Sequence, residues 1–126
     1  MAARQYDIVV WGSTGFTGRL TCAYLSNTYP DLKWAIAGRN RSTLTELKRT
    51  LDLKETVGVI VADLSDKAAL KEMASHTKVV LSTAGPYAKI GTPVVEACVA
   101  GGAHYCDLTG EAPWVREIAD KFADEA

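Results

Sequence analysis

The sequence predicts an α/β chain of the Rossmann type: a doubly wound parallel sheet between two layers of helix, three layers in all, with strand order 3-2-1-4-5. Three observations predict it. Short runs rich in Val, Ile, Tyr and Trp alternate with stretches of helical periodicity along the whole chain. The runs Ile8-Val9-Val10, Val59-Ile60-Val61 and Val79-Val80-Leu81 are continuously apolar, as strands buried on both faces must be. Three glycines, Gly12, Gly15 and Gly18, stand between the first run and the first helix. Strands alternating with helices need right-handed crossovers, which lay the strands parallel and cover both faces.

The first strand is expected over 6–11 and the first helix over 17–27, with Leu20, Ala23 and Tyr24 as its apolar positions. That helix stops at Asn27-Thr28-Tyr29-Pro30-Asp31, because proline cannot continue it. A second strand over 33–37 leads to a helix over 42–53 that sets Leu44, Leu47 and Leu51 on one face. The third strand, 57–61, precedes a helix over 65–74 that opens with the capping pattern Ser65-Asp66-Lys67-Ala68 and buries Leu70 and Met73. The fourth strand, 78–82, is followed by a helix over 92–100 with Pro93 in its first turn and Gly101-Gly102 at its end. A fifth strand over 104–107 and a last helix over 112–126 complete the order. Repeats, low-complexity segments and internal linkers are absent, so the chain reads as one domain, residues 1–126.

Its 126 residues suffice for a hydrophobic core. The formal net charge is −1 and neither half carries a basic block, which argues against a nucleic-acid partner. No apolar stretch approaches the roughly 20 residues of a membrane-spanning helix, so no membrane partner is expected for this segment. The start, Met1 to Asp7, holds no signal-peptide core; a cytoplasmic or other intracellular location is the expectation. Cys22, Cys98 and Cys106 are odd in number and form no C-x-x-C pair, which fits reduced, buried, inert thiols. Cys106 stands apart as the one near a strand end. His76 and His104 lack the spacing of a metal pair, and no metal is expected.

The chemistry is concentrated in Gly12-Ser13-Thr14-Gly15-Phe16-Thr17-Gly18. A dinucleotide pyrophosphate needs a close approach of backbone and the free N–H groups and positive dipole end of a helix start. Gly12 is expected to turn the chain at the strand end, Gly15 to leave room for the pyrophosphate, and Gly18 to let the helix lie against the sheet. The spacing is G-x-x-G-x-x-G, a variant of G-x-G-x-x-G. About twenty residues on, where an NAD binder carries an acidic residue for the ribose 2′-hydroxyl, this chain has Ala37-Gly38-Arg39-Asn40-Arg41. A guanidinium pairs with a 2′-phosphate and stacks on adenine, so NADP(H) is expected over NAD(H). Arginines at a helix start meet the unfavourable end of its dipole, which calls for an anion; the competing reading is two solvated side chains.

Ligands of open parallel sheets lie beyond the carboxyl ends of the strands, where strand order reverses. Asp63 and Leu64 end the third strand and are expected to flank the adenine, with a turn or cap as the alternative for Asp63. Ser82-Thr83-Ala84-Gly85-Pro86-Tyr87 ends the fourth strand, and Ala84, Gly85, Pro86 and Tyr87 are expected on the nicotinamide side. Tyr87 reads equally well as a packed aromatic.

These segments, together with His104-Tyr105-Cys106-Asp107-Leu108-Thr109-Gly110-Glu111, resemble the N-terminal NAD(P)-binding domain of saccharopine dehydrogenase-like oxidoreductases over essentially the whole chain. The joint occurrence of G-x-T-G-F-T-G, A-G-R-N, G-P-Y and H-Y-x-D-L-T-G-E is far more specific than any one piece. The resemblance implies that Gly12, Ser13, Thr14, Gly15, Phe16 and Thr17 form the phosphate loop and that Arg39 and Asn40 clamp the 2′-phosphate. It also implies that Tyr105, Asp107, Thr109 and Glu111 line the exit of the fifth strand. The G-F-T-G wording is nearer to the enoyl reductases acting on lipid intermediates than to the lysine enzymes.

No catalytic acid is assigned, since hydride transfer asks mainly for placement and a proton donor that a substrate domain can supply. Family members are longer, and this chain stops inside an expected helix without a cap. The expectation is a fragment of a two-domain oxidoreductase that binds cofactor but does not turn over alone. Substrate contacts and any homodimer surface then lie outside it. The alternatives are a non-catalytic NADPH-sensing regulator and an interaction domain that has kept the fold without the ligand.

Overall fold

Tyr6–Trp11 (β1) runs up the middle of a parallel sheet because its neighbours on both sides, Trp34–Gly38 (β2) and Thr77–Ser82 (β4), pair with it in register, Val10 opposite Ile36 and Leu81. The computed structural model describes residues 4–125. Gly58–Val61 (β3) lies outside β2 and His104–Asp107 (β5) outside β4, giving the order β3-β2-β1-β4-β5. The order reverses between β1 and β4, as expected.

Alternate residues of the strands feed two cores. Val10 and Ile36 face Phe16–Thr28 (α1) and Arg41–Thr50 (α2), through Cys22 and Leu25 of α1 and Leu44 and Leu47 of α2. Val9, Ala35 and Val80 face Lys67–Ser75 (α3) and Thr92–Gly101 (α5), through Leu70, Met73, Val94 and Cys98. The short helix Tyr87–Ile90 (α4) and the last helix Ala112–Phe122 (α6) share a smaller core of Tyr87, Val95, Trp114 and Phe122. No helix of the described residues is long and apolar enough to cross a membrane.

Where structure and sequence reading differ, a local contact decides. Leu20 and Tyr24 are each 58% exposed; α1 instead buries Gly18, Cys22 and Leu25. Its rotation is set by Gly18, which must face the glycine loop: a Cβ there would stand 2.2 Å from the Gly12 carbonyl oxygen. The cap of α3 is Asp66, whose carboxylate accepts from the Ala69 amide at 3.0 Å, while Ser65 is engaged by Asp63 and stays outside the helix. The helix α4 has no counterpart in the sequence reading, its four residues being too few to show a period. The last helix ends at Phe122 rather than running on; Ala126, like Met1 to Ala3, lies outside the described residues.

Arg4 locks the bottom of the sheet. Its guanidinium donates to the carbonyls of Ala74 (2.8 Å), Thr77 (3.2 Å) and Gly101 (3.0 Å), which close α3, open β4 and close α5. Gly102 follows in the left-handed region, φ +78°, and a Cβ there would meet Arg4 Nη2 at 2.9 Å. Arg4→Ala is expected to cost about 2 to 4 kcal/mol, since three carbonyls lose a charged donor at once. Urea unfolding of the two chains measures it; equal midpoints would show that water replaces the guanidinium.

Candidate functional site

The carboxyl ends of β1, β2 and β4 open onto a cleft of about 280 Å³. A larger hollow, about 450 Å³, lies between α5, β5 and α6, but it reaches toward Gly102 and Ala103 at the amino end of β5, away from the strand ends where parallel sheets bind ligands.

The floor of the cleft is the turn after β1. Gly12 takes φ +82° and packs so closely on the fourth strand's exit that a Cβ would stand 2.8 Å from the Ala84 Cβ. The Gly12 and Ser13 amides both donate to the Ala37 carbonyl, at 3.0 and 3.3 Å, which ties the turn to β2. Ser13 is fully buried; its hydroxyl donates to the Val10 carbonyl at 2.6 Å and accepts from the Ala37 amide at 3.2 Å. Ser13 therefore braces the loop, and neither its hydroxyl nor its amide faces the cleft. Thr83 ties the other side: its amide donates to the Trp11 carbonyl at 2.9 Å and its hydroxyl lies 3.0 Å from the Gly12 carbonyl.

Gly15 differs from its neighbours. A Cβ there would find nothing nearer than the Gly12 oxygen at 3.7 Å, an ordinary contact, and its φ of −72° suits any residue. The fold itself does not require a glycine at this position, and Gly15 lines the cleft. The amides of Thr14, Phe16 and Thr17 have no acceptor among the described residues. The helix that starts here has no side-chain cap and no acidic residue in its first turn, whereas α2 and α3 are capped by Asn40 and Asp66. Free amides at a helix start beside an open glycine make an anion cradle that the residues present fit. Phe16, whose amide is one of these, is 82% exposed.

Arg39 lines the cleft from the end of β2, beside Gly38. It makes no ion pair or hydrogen bond among the described residues. Asn40 is engaged elsewhere, since its Oδ1 accepts from the Thr43 amide at 3.2 Å and the Ser42 hydroxyl at 2.7 Å, capping α2. Arg41 is the exposed first residue of α2. Leu64 lines the cleft, but Asp63 turns back, accepting from the Ser65 amide at 2.9 Å and hydroxyl at 2.8 Å. Those two bonds, with a smaller contribution from the charge of Arg39, hold its carboxyl below the ordinary range.

Past β4, Ala84 and Gly85 line the cleft, and the Gly85–Pro86 peptide is cis. Tyr87 is buried; its hydroxyl donates to the Ser82 carbonyl at 2.9 Å and its ring lies 5.5 Å from that of Trp114. It is thus a packed aromatic, and Ile90, three residues on, is the α4 side chain that reaches the cleft. At the exit of β5 the Tyr105 hydroxyl donates to Asp107 at 2.6 Å, and the second Asp107 oxygen accepts from the Thr109 amide at 3.0 Å. Trp11, Gly38, Thr83 and Ile90 also line the cleft, beyond the residues expected there from the sequence. Gly38 adjoins the arginine segment and Thr83 sits in the small-residue exit of β4, signals that could have found them.

Cys22 and Cys98 are buried, as expected, but Cys106 is exposed, because β5 is the sheet edge and the face of that strand carrying His104 and Cys106 is open. Burial pushes the Cys22 thiol up to about 11 and the Cys98 thiol up to about 12. Burial, and then the carboxylate of Asp107, raises the Tyr105 phenol far above its usual range. Above about pH 9 the unfolded chain would shed protons that the folded chain keeps, so stability is present below that pH and is lost as pH rises. The urea midpoint is expected to fall steadily from about pH 9 to 12, and less steeply in Cys98→Ala. A flat profile would mean that these groups ionise without unfolding.

The profile described as the saccharopine dehydrogenase NADP binding domain matches residues 8–126. The chain belongs to this family. A trans-acting enoyl reductase of Mycobacterium ulcerans is 39% identical over 126 residues, covering 99% of this chain and 30% of the relative. A lipid droplet localized protein of Caenorhabditis elegans is 38% identical over 129 residues, covering 97% of this chain and again 30% of the relative. This saccharopine dehydrogenase-type domain thus spans under a third of the length of those relatives. In fold it matches apo saccharopine dehydrogenase (L-Glu forming) of Saccharomyces cerevisiae with a TM-score of 0.73 at 19% identity, over 90% of this chain and 24% of that one.

Proposed function

We propose that residues 1–126 are the nucleotide-binding part of a longer, two-domain NADP(H)-dependent oxidoreductase. The observation that carries this reading is Gly15: a glycine the fold does not need, set at the start of α1 among amides, and in one cleft with Arg39, that have no partner among the described residues. The amides of Thr14, Phe16 and Thr17 take the pyrophosphate and Gly15 lets it approach. Arg39 takes the 2′-phosphate, with Leu64 against the adenine; Ala84, Gly85 and Ile90 face the nicotinamide end. Ser13, Asn40, Asp63 and Tyr87 act one step back, by shaping the loops that present these groups.

NADPH would supply a hydride when bound, the substrate held by the second domain would present the electrophilic carbon, and that domain would provide the proton donor. The names of the two relatives favour a lipid-derived enoyl group as the acceptor and an intracellular site of action. Titration of the chain with NADPH and NADH tests the reading. Tighter binding of NADPH, weakening as salt rises, is expected of a phosphate–guanidinium contact; no affinity for either cofactor would overturn it.

A further inference from the structure

We propose that Glu111 is a positioning residue for the nicotinamide half of the cofactor, acting through α4; the inference rests on the cofactor reading above. The carboxylate of Glu111 does not line the cleft. It reaches back from the start of α6 and accepts from the first two amides of α4, Tyr87 at 2.6 Å and Ala88 at 3.1 Å. Both oxygens are used, and the two bonds fix where α4 begins.

Apart from the Tyr87 hydroxyl on the Ser82 carbonyl, α4 has few anchors of its own. It is four residues long, follows Gly85-Pro86, and has no side-chain cap other than the one Glu111 lends it from 24 residues away. Its inner side rests on α6: the Tyr87 ring packs on Trp114, and at Gly91 a Cβ would stand 2.7 Å from the Trp114 ring. Trp114 is held in turn by its indole N–H, which donates to the Thr92 hydroxyl at 3.0 Å. The outer side of the same segment is cleft wall, through Gly85 and Ile90. A turn that fixes one end of this wall therefore sets the width of the cleft beyond β4, while Gly15 follows β1 and Arg39 follows β2, away from that wall. Glu111 is itself oriented by Thr109, whose hydroxyl accepts from the Glu111 amide at 3.0 Å.

The two halves of the cofactor separate this role from a general one. Isothermal titration with NADPH and with 2′,5′-ADP, which lacks the nicotinamide half, compares the unaltered chain with Glu111→Gln, in which one of the two α4 amides loses its acceptor. NADPH affinity is expected to fall about ten-fold while 2′,5′-ADP affinity stays within about two-fold, as loss of one charged hydrogen bond at one end of the site requires. Thr109→Ala, which loosens the same latch from the loop side, should split the two ligands in the same direction and serves if Glu111→Gln does not fold. Equal losses for both ligands, or no loss for either, would overturn the inference. Failure of the unaltered chain to bind either ligand would overturn the cofactor reading and the inference with it.

Discussion

Gly18→Ala is expected to unfold the chain or weaken it by about 3 kcal/mol or more, while Gly15→Ala, three residues earlier, leaves the fold within about 1 kcal/mol of the original. The difference lies in what a single methyl group meets. At Gly18 it would stand 2.2 Å from the Gly12 oxygen and 2.8 Å from the Ser13 backbone, and neither can retreat. The Gly12 oxygen is held by the Gly15 amide and the Thr83 hydroxyl, and Ser13 by Val10 and Ala37. Relief would mean lifting α1 off the sheet, with Cys22 and Leu25 leaving the core. At Gly15 the methyl group enters the open cleft. The folded chain tolerates it, and the unfolded chain loses some freedom. Its effect falls on the ligand: NADPH affinity is expected to drop roughly ten-fold or more, by crowding the pyrophosphate away from charged hydrogen bonds. Thermal melts and NADPH titration of the two variants read both effects. A Gly15→Ala chain that binds as before would remove the main support for the cofactor site.

Arg39→Ala is expected to cost NADPH about 10- to 100-fold in affinity and NADH less than about two-fold, because a hydrogen bond between charged groups contributes roughly 1.5 to 3 kcal/mol. The fold should be unaffected, since Arg39 makes no ion pair or hydrogen bond among the described residues. The salt dependence of NADPH binding should flatten at the same time, as the screened contact has gone. Titrations of both cofactors at low and high salt measure this. An unchanged NADPH to NADH ratio would move the 2′-phosphate to Arg41, the other cation of this segment.

Much of the site was legible in the sequence because glycines and charges carry their reasons locally. The turn at Gly12, the close approach at Gly18 and the cation at the end of β2 each follow from the residue and its place in a strand-loop-helix order. Side chains with two possible employers were not legible. Ser13, Asn40, Asp63 and Tyr87 all sit in the right loops, yet each spends its polar group on protein backbone or on a neighbouring side chain. Which of the two wins depends on where the next loop's amides lie, and spacing does not encode that. Glu111 shows the same limit: its partners are 24 and 23 residues away and belong to a helix too short to leave a pattern.

The sequence by itself carried the alternation of strand and helix, the parallel sheet in its order and the cofactor class, because periodicity, glycine spacing and the arginine after β2 are local signals and handed crossovers restrict how successive strands can lie together. The rotation of α1, the exposure of Leu20, Tyr24 and Cys106, and the seating of α4 were decided only by tertiary structure. Each depends on steric contact or hydrogen bonding between segments far apart in the chain, and such contacts exist only once the sheet has brought them together.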